Sequence, residues 1–133
     1  MSGEEGMIQH GNLSFKWSDD IFIVHAQGSF NEEGTLAAHN QFQQSILSSG
    51  LSCWYRLEIW GEALGTPEAL DLIPDFYSWS KQQGCLATAI VVTNSLQESI
   101  VKEMLSDYVK VFRDKAQAMV WLKKQRAYEI KNH

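Results

Sequence analysis

From Leu13 to Trp17 the chain alternates apolar and polar residues, Leu-Ser-Phe-Lys-Trp, the period of a strand with one buried face. Asp19-Asp20 supplies a turn and Ile21-Phe-Ile-Val24 a second strand, so the chain opens with a β-hairpin. Gly28 breaks that strand. Asn31 is a fair N-cap, and Glu32 and Glu33 suit the positive end of a helix dipole. Leu36, His39, Phe42 or Gln43, and Ile46 then recur at a spacing of three to four. They predict a helix to about residue 48, closed by Gly50.

Cys53 to Trp60 reads as a third strand, with Cys53, Tyr55, Leu57 and Ile59 on one face. Trp54, Arg56, Glu58 and Trp60 lie on the other. After the loop Gly61–Gly65, Thr66-Pro67-Glu68 has the form of a helix start, with Thr as cap and Pro at the first position. That helix extends to about Gln83, and Pro74 inside it predicts a kink or split near residues 70–74. Gly84 ends it. Leu86 to Val92 is a nearly continuous apolar run, as a parallel strand covered on both sides requires. Ser95-Leu-Gln-Glu98 is a capping-box sequence for a third helix with Ile100, Val101, Met104 and Leu105 on its buried face. Tyr108 to Phe112 is a short last strand. Asp114 caps a final helix whose apolar face is Ala118, Met119 and Leu122, with Trp121 beside it.

The order β-β-α-β-α-β-α-β-α predicts an α/β domain with a five-stranded mixed, mainly parallel sheet, right-handed crossovers and four main helices. Only Leu13–Trp17 is expected to run antiparallel to its neighbour. No repeat or Pro/Gly-rich linker divides the chain, which gives one domain at 11–125. A flexible N-terminal segment, 1–10, and a C-terminal tail, 126–133, are expected to flank it.

Composition narrows the function classes. The chain has 133 residues, enough for one core without metal or disulfide help, and 44 % of them are hydrophobic. Lys plus Arg number 11 and Asp plus Glu 16, a net charge of −5, whereas nucleic acid and anionic membranes call for a basic surface. The acidic, polar start has no secretory pattern, and no apolar run approaches the roughly 18 residues of a membrane span. Cys53 and Cys85 show no metal-binding spacing and read as two buried, reduced thiols. These features predict a cytoplasmic chain that binds neither nucleic acid nor membrane.

This order and punctuation resemble the STAS or SpoIIAA-like (anti-sigma-factor antagonist-like) domains over about residues 12–124. Three places carry the likeness. Gly28-Ser-Phe-Asn31 leads from a strand into the first helix. Leu57-Glu-Ile-Trp-Gly61 precedes a loop and a Thr-capped helix. Val111-Phe-Arg-Asp114 is followed by Ala118 and Trp121-Leu122. The resemblance implies the SpoIIAA-like β-α superhelix and a regulatory or protein-interaction module. Regulatory members carry an Asp-Ser-Ser-Gly type loop whose serine is phosphorylated. Here that stretch is Gly61-Glu62-Ala63-Leu64-Gly65-Thr66, with no serine, so the phospho-switch does not carry over.

Candidate chemistry is sparse. There is no His-x-x-x-His, no Gly-x-Ser-x-Gly and no phosphate-binding Gly-rich loop, so no catalytic, cofactor or metal residue is assigned and no enzyme is expected. His39 lies on the apolar stripe of the first helix, where a buried, hydrogen-bonded histidine is the ordinary reading. Trp54, Arg56, Glu58 and Trp60 read either as a contact surface with an exposed Arg56–Glu58 ion pair, docking a protein partner or a second copy as a homodimer, or as a face covered by loops or the N-terminal segment. Helix N-termini converge at the carboxyl ends of the strands. There Gly61, Glu62, Gly65, Thr66, Ser95 and Arg113 are expected to meet an anion or a partner's acidic side chain. The alternative is a carrier of a small apolar or anionic ligand between helices and sheet, for which Phe76, Tyr77 and Trp79 supply aromatic surface.

Overall fold

The computed structural model describes residues 6–8, 12–103 and 109–131. Strand β1 (Gly6–Ile8) precedes the hairpin β2 (Asn12–Ser18) and β3 (Ile21–Gln27). Asp19 takes φ 54°, a conformation that aspartate tolerates in a tight turn. Gly28, at φ 91°, ends β3 and admits the two-residue β4 (Ser29–Phe30). Helix α1 (Glu32–Ser49) is capped by the Asn31 side chain, whose Oδ1 accepts from Gly34 N at 2.8 Å, and Gly50 ends it. Its buried face holds Thr35, Ala38, Phe42, Ser45 and Ile46. Leu36, expected on that face, is 52 % exposed, because two polar residues, Thr35 and Ser45, occupy the core side instead.

Strand β5 (Trp54–Trp60) leads through β6 (Leu64–Gly65) to α2 (Pro67–Asp71) and α3 (Ile73–Gln82). The split at Leu72 follows from Pro74, which stands in the first turn of α3, where its missing N–H costs nothing. Gly84 turns α3 into β7 (Cys85–Val91) at φ 101°; a Cβ there would meet the Ser52 carbonyl oxygen at 2.0 Å. Helix α4 (Ser95–Lys102) is capped by Asn94, which accepts from Gln97 N at 2.9 Å, so the cap lies one residue before the expected Ser95. Met104, Leu105 and Tyr108 lie outside the described residues. After β8 (Val109–Phe112), Asp114 Oδ1 accepts from Ala116 N at 2.6 Å and opens α5 (Lys115–Lys131), which continues past residue 125.

The main sheet has the order β1-β2-β3-β5-β7-β8, and β4 pairs with β6 as a separate small parallel ribbon. The five expected strands are present in the expected order, parallel from β3 to β8. β1 adds a sixth, antiparallel to β2, so there are two antiparallel pairs. The expectation of a single antiparallel pair is therefore corrected: three residues ahead of the hairpin satisfy the open edge of β2.

Because the strand order rises steadily, right-handed crossovers bring α1, α3 and α4 to one face of the sheet. Helix α5 covers the other face through Ala118 and Leu122. The crossover face is the one that bears Trp54, Arg56, Glu58 and Trp60, which are 0 %, 2 %, 7 % and 9 % exposed. They are core. The expected contact surface and exposed ion pair are corrected accordingly, since alternation along a strand separates two faces but does not say which one the helices take. Cys85 is buried, but Cys53 is exposed just before β5 rather than buried within a strand. No described helix is long and apolar enough to cross a membrane.

Candidate functional site

Arg56 and Glu58 project from β5, a central strand whose neighbours are β3 and β7, into the space beneath α1 and α3. They form a buried ion pair between Arg56 Nη2 and Glu58 Oε2. The guanidinium stands over the rings of Phe76 and Tyr77, 4.5 and 4.7 Å from their centroids, and Nη1 donates to Ser80 Oγ at 3.4 Å. Glu58 Oε1 accepts from Trp60 Nε1 at 2.9 Å and from Tyr77 OH at 3.4 Å. Removing two charges from water costs several kcal/mol per ion, about the scale that close pairing, hydrogen bonds and cation–π contact return. The pair is thus electrically closed: each charge faces its opposite.

Above this pair lies a cavity of about 90 Å³. Its sheet wall is Val24, Ala26 and Trp60 with the Arg56–Glu58 pair, and its helix wall is Thr35, Ala38, His39 and Phe42 from α1. Phe30, Ala63, Leu64 and Gly65 line it from the β4–β6 ribbon and the loop before it, and Ala69 and Leu70 from α2. His39 stacks on Phe76 at 4.4 Å and 14°. Burial, reinforced by the positive charge of Arg56, pulls its pKa down to about 3, so the ring is neutral at neutral pH. The hydrogen bond expected for His39 does not occur among the described residues; the ring instead packs against Phe42 and Phe76.

The residues expected at the strand carboxyl ends fall into two groups. Gly61, Glu62, Gly65 and Thr66 belong to the segment that roofs the cavity, of which Ala63, Leu64 and Gly65 line it. Its backbone is tied to the sheet end by Gly61 N to Ala26 O at 2.8 Å, Leu64 N to Gly28 O at 2.9 Å and Thr66 N to Phe30 O at 3.0 Å. Gln97, 1 % exposed, locks it from α4: its Nε2 donates to Gly61 O and Ala63 O, both at 3.0 Å, while Thr93 Oγ1 donates to Gly61 O at 2.7 Å. Thr66 caps α2 by accepting from Ala69 N at 3.2 Å, and Glu62 is exposed. Ser95 and Arg113 form the second group. Arg113 donates twice to Glu98 Oε1, at 3.0 and 2.8 Å, and once to Ser95 Oγ at 3.4 Å. Its charge is engaged by Glu98, whose carboxyl it holds below the ordinary range with help from Lys102. Tyr77, expected among the aromatic residues of a ligand site, lies under the Arg56 guanidinium, whereas Gln97 carries no such signal in its sequence context and only its long-range partners reveal it.

The architecture is that of the SpoIIAA-like α/β domains. The crystal structure of an uncharacterized protein from the DUF3478 family with a SpoIIAA-like fold, from Shewanella loihica PV-4, is similar to this chain with a TM-score of 0.59. The two share 18 % sequence identity over 92 % of this chain and 95 % of that one, a likeness of fold. No family model matches the sequence, and no curated protein shows significant similarity to it.

Proposed function

We propose that this domain binds a small, mainly apolar molecule in the cavity between α1, α2 and the sheet, acting as a carrier or sensor rather than as an enzyme. The carrying observation is the cavity itself, with its floor of a buried Arg56–Glu58 pair and its roof of the Gly61–Thr66 segment. An apolar hollow with a few convergent polar groups is the usual form of a ligand site. A charge pair retained in a core is seldom the most stable solution, which supports a role for it beyond folding. A regulatory role is compatible with this reading, because the roof lies on the strand–loop–helix that regulatory domains of this fold use. Leu64, 54 % exposed on that roof, is the residue a partner would meet. Trp54 and Trp60 no longer support partner docking or a homodimer, since both are enclosed.

Native mass spectrometry of freshly purified protein tests the reading. A small molecule released on denaturation, and absent from an Ala38→Phe variant that fills the cavity, is the expected result. Xenon and small organic probes that leave the cavity-lining resonances unmoved, together with a clean protein mass, would overturn it.

A further inference from the structure

Resting on the proposed cavity, the chemistry of its walls narrows the ligand. The two charges in the floor already face each other; beyond the pair itself, Arg56 Nη1 meets Ser80 and Glu58 Oε1 meets Trp60 and Tyr77. An anionic ligand would lie beside Glu58 with no free cation to meet it. A cationic one would lie beside Arg56. Either would lose its hydration without a counter-charge, which is far costlier than burying an apolar or hydrogen-bonded group.

What the walls do offer is on α1. Thr35 and His39 stand four residues apart, one helical turn, and both line the cavity. Among the described residues neither the Thr35 hydroxyl nor a ring nitrogen of His39 has a hydrogen-bond partner. The neutral imidazole presents one donor and one acceptor, and the hydroxyl presents both. The rest of the wall is apolar: Val24, Ala26, Ala38, Phe42 and Trp60. The volume, about 90 Å³, is below the roughly 150 Å³ of an engineered cavity that takes benzene, so the buried body of the ligand is roughly four heavy atoms.

We infer that the cavity selects an uncharged small molecule, a compact branched or cyclic hydrocarbon body bearing one hydroxyl, carbonyl or amide group that hydrogen-bonds to His39 and Thr35. The charge pair beneath acts as a filter against charged analogues of the same shape. This departs from the anionic ligand that the sequence alone allowed.

Titrations of the whole protein, followed by amide and indole chemical shifts, separate this inference from the reading on which it rests. Xenon reports the cavity alone. Isobutanol, isobutyrate and isobutylamine share one branched body and differ in charge. Xenon and isobutanol should both move the resonances of Ala38, His39 and the Trp60 indole, while isobutyrate and isobutylamine leave them in place at the same concentration. His39→Phe, which keeps the stack on Phe76, should weaken isobutanol about threefold to tenfold, the scale of one lost hydrogen bond, and leave xenon unaffected. If that variant does not fold, the near-isosteric Thr35→Val carries the same expectation. Binding of isobutyrate or isobutylamine as tight as that of the alcohol would overturn the inference. So would an isobutanol affinity unchanged in the folded variant. Xenon binding with a silent isobutanol titration would overturn the inference and leave the cavity reading standing; silence from xenon and isobutanol alike would overturn both.

Discussion

The two faces of the central sheet come from the same strands and differ in kind. Against α5 the core is mostly aliphatic and small: Ile21, Ile23, Leu57, Ala87 and Ala89 meet Ala118 and Leu122. Against α1 and α3 it is aromatic, with Trp17, Phe22, Phe42, Trp54 and Phe76 in edge-on and tilted contacts, and it encloses a charge pair and a cavity. The first face does what a core requires at least cost. The second holds groups that are costly to bury, beside a space left open. Stability and binding are therefore divided between the faces, with β5 sending alternate residues to each.

Mutation of the floor should produce the largest effect. Glu58→Leu leaves a buried guanidinium without its counter-ion and is expected to lower stability by about 3–5 kcal/mol in urea unfolding. The double variant Arg56→Met/Glu58→Leu should recover most of that loss, because an apolar pair of similar bulk needs no counter-charge. It should also bind isobutyrate no better than isobutanol. On the opposite face Leu122→Ala is expected to cost about 2–5 kcal/mol through a cavity of its own, without altering xenon shifts around His39. A double variant as unstable as Glu58→Leu alone would mean that the pair supports the fold itself, and the division between faces would fail.

The contrast also explains which parts of the molecule were legible in sequence. Strand alternation, the Asn31, Thr66 and Asp114 caps and the Pro74 break are local signals, and each appears as expected. The face of β5 was misread because charge ordinarily marks solvent, and Arg56 and Glu58 conceal each other's charge only after folding. Leu36 and Thr35 exchanged roles for a related reason: the core side of α1 carries polar residues where it borders the cavity. Asn94 and Ser95 are both good caps, so a one-residue shift costs little. The Gln97 lock on the roof spans more than thirty residues of chain and has no sequence periodicity at all.

A smaller effect comes from His39. Its pKa falls from the ordinary 6.5 to about 3 on folding, so between those values the unfolded chain binds a proton that the folded chain refuses. Stability is therefore full above about pH 6.5 and declines as pH falls toward 3, by up to about 1.4 kcal/mol per pH unit from this residue. Carboxylates add their own acid sensitivity, so the measurement is the difference between wild type and His39→Phe across pH 7 to 4. The variant should show the shallower slope. Parallel slopes would place the imidazole in a solvated site and remove it from the cavity wall.

The smallest expected effect separates capping from contact at the roof. Thr66 was a candidate for binding an anion or a partner, yet its Oγ1 already accepts from Ala69 N at 3.2 Å at the start of α2. A cap is indifferent to which short oxygen-bearing side chain supplies the acceptor, whereas a specific contact is not. Thr66→Ala should then cost about 1 kcal/mol, and Thr66→Ser or Thr66→Asp much less. The Thr66 backbone N–H, bonded to Phe30 O at 3.0 Å, closes the ribbon over the cavity, so the loss should also appear locally. Amide exchange at Leu64 and Thr66 should accelerate in the alanine variant and leave the amides of β7 unaffected. Xenon affinity should change less than twofold, because the Thr66 side chain is not part of the cavity lining. If Thr66→Ala unfolds at the wild-type denaturant concentration while the isobutanol titration weakens, the hydroxyl acts on the ligand rather than on the helix, and the boundary between scaffold and site moves onto the roof.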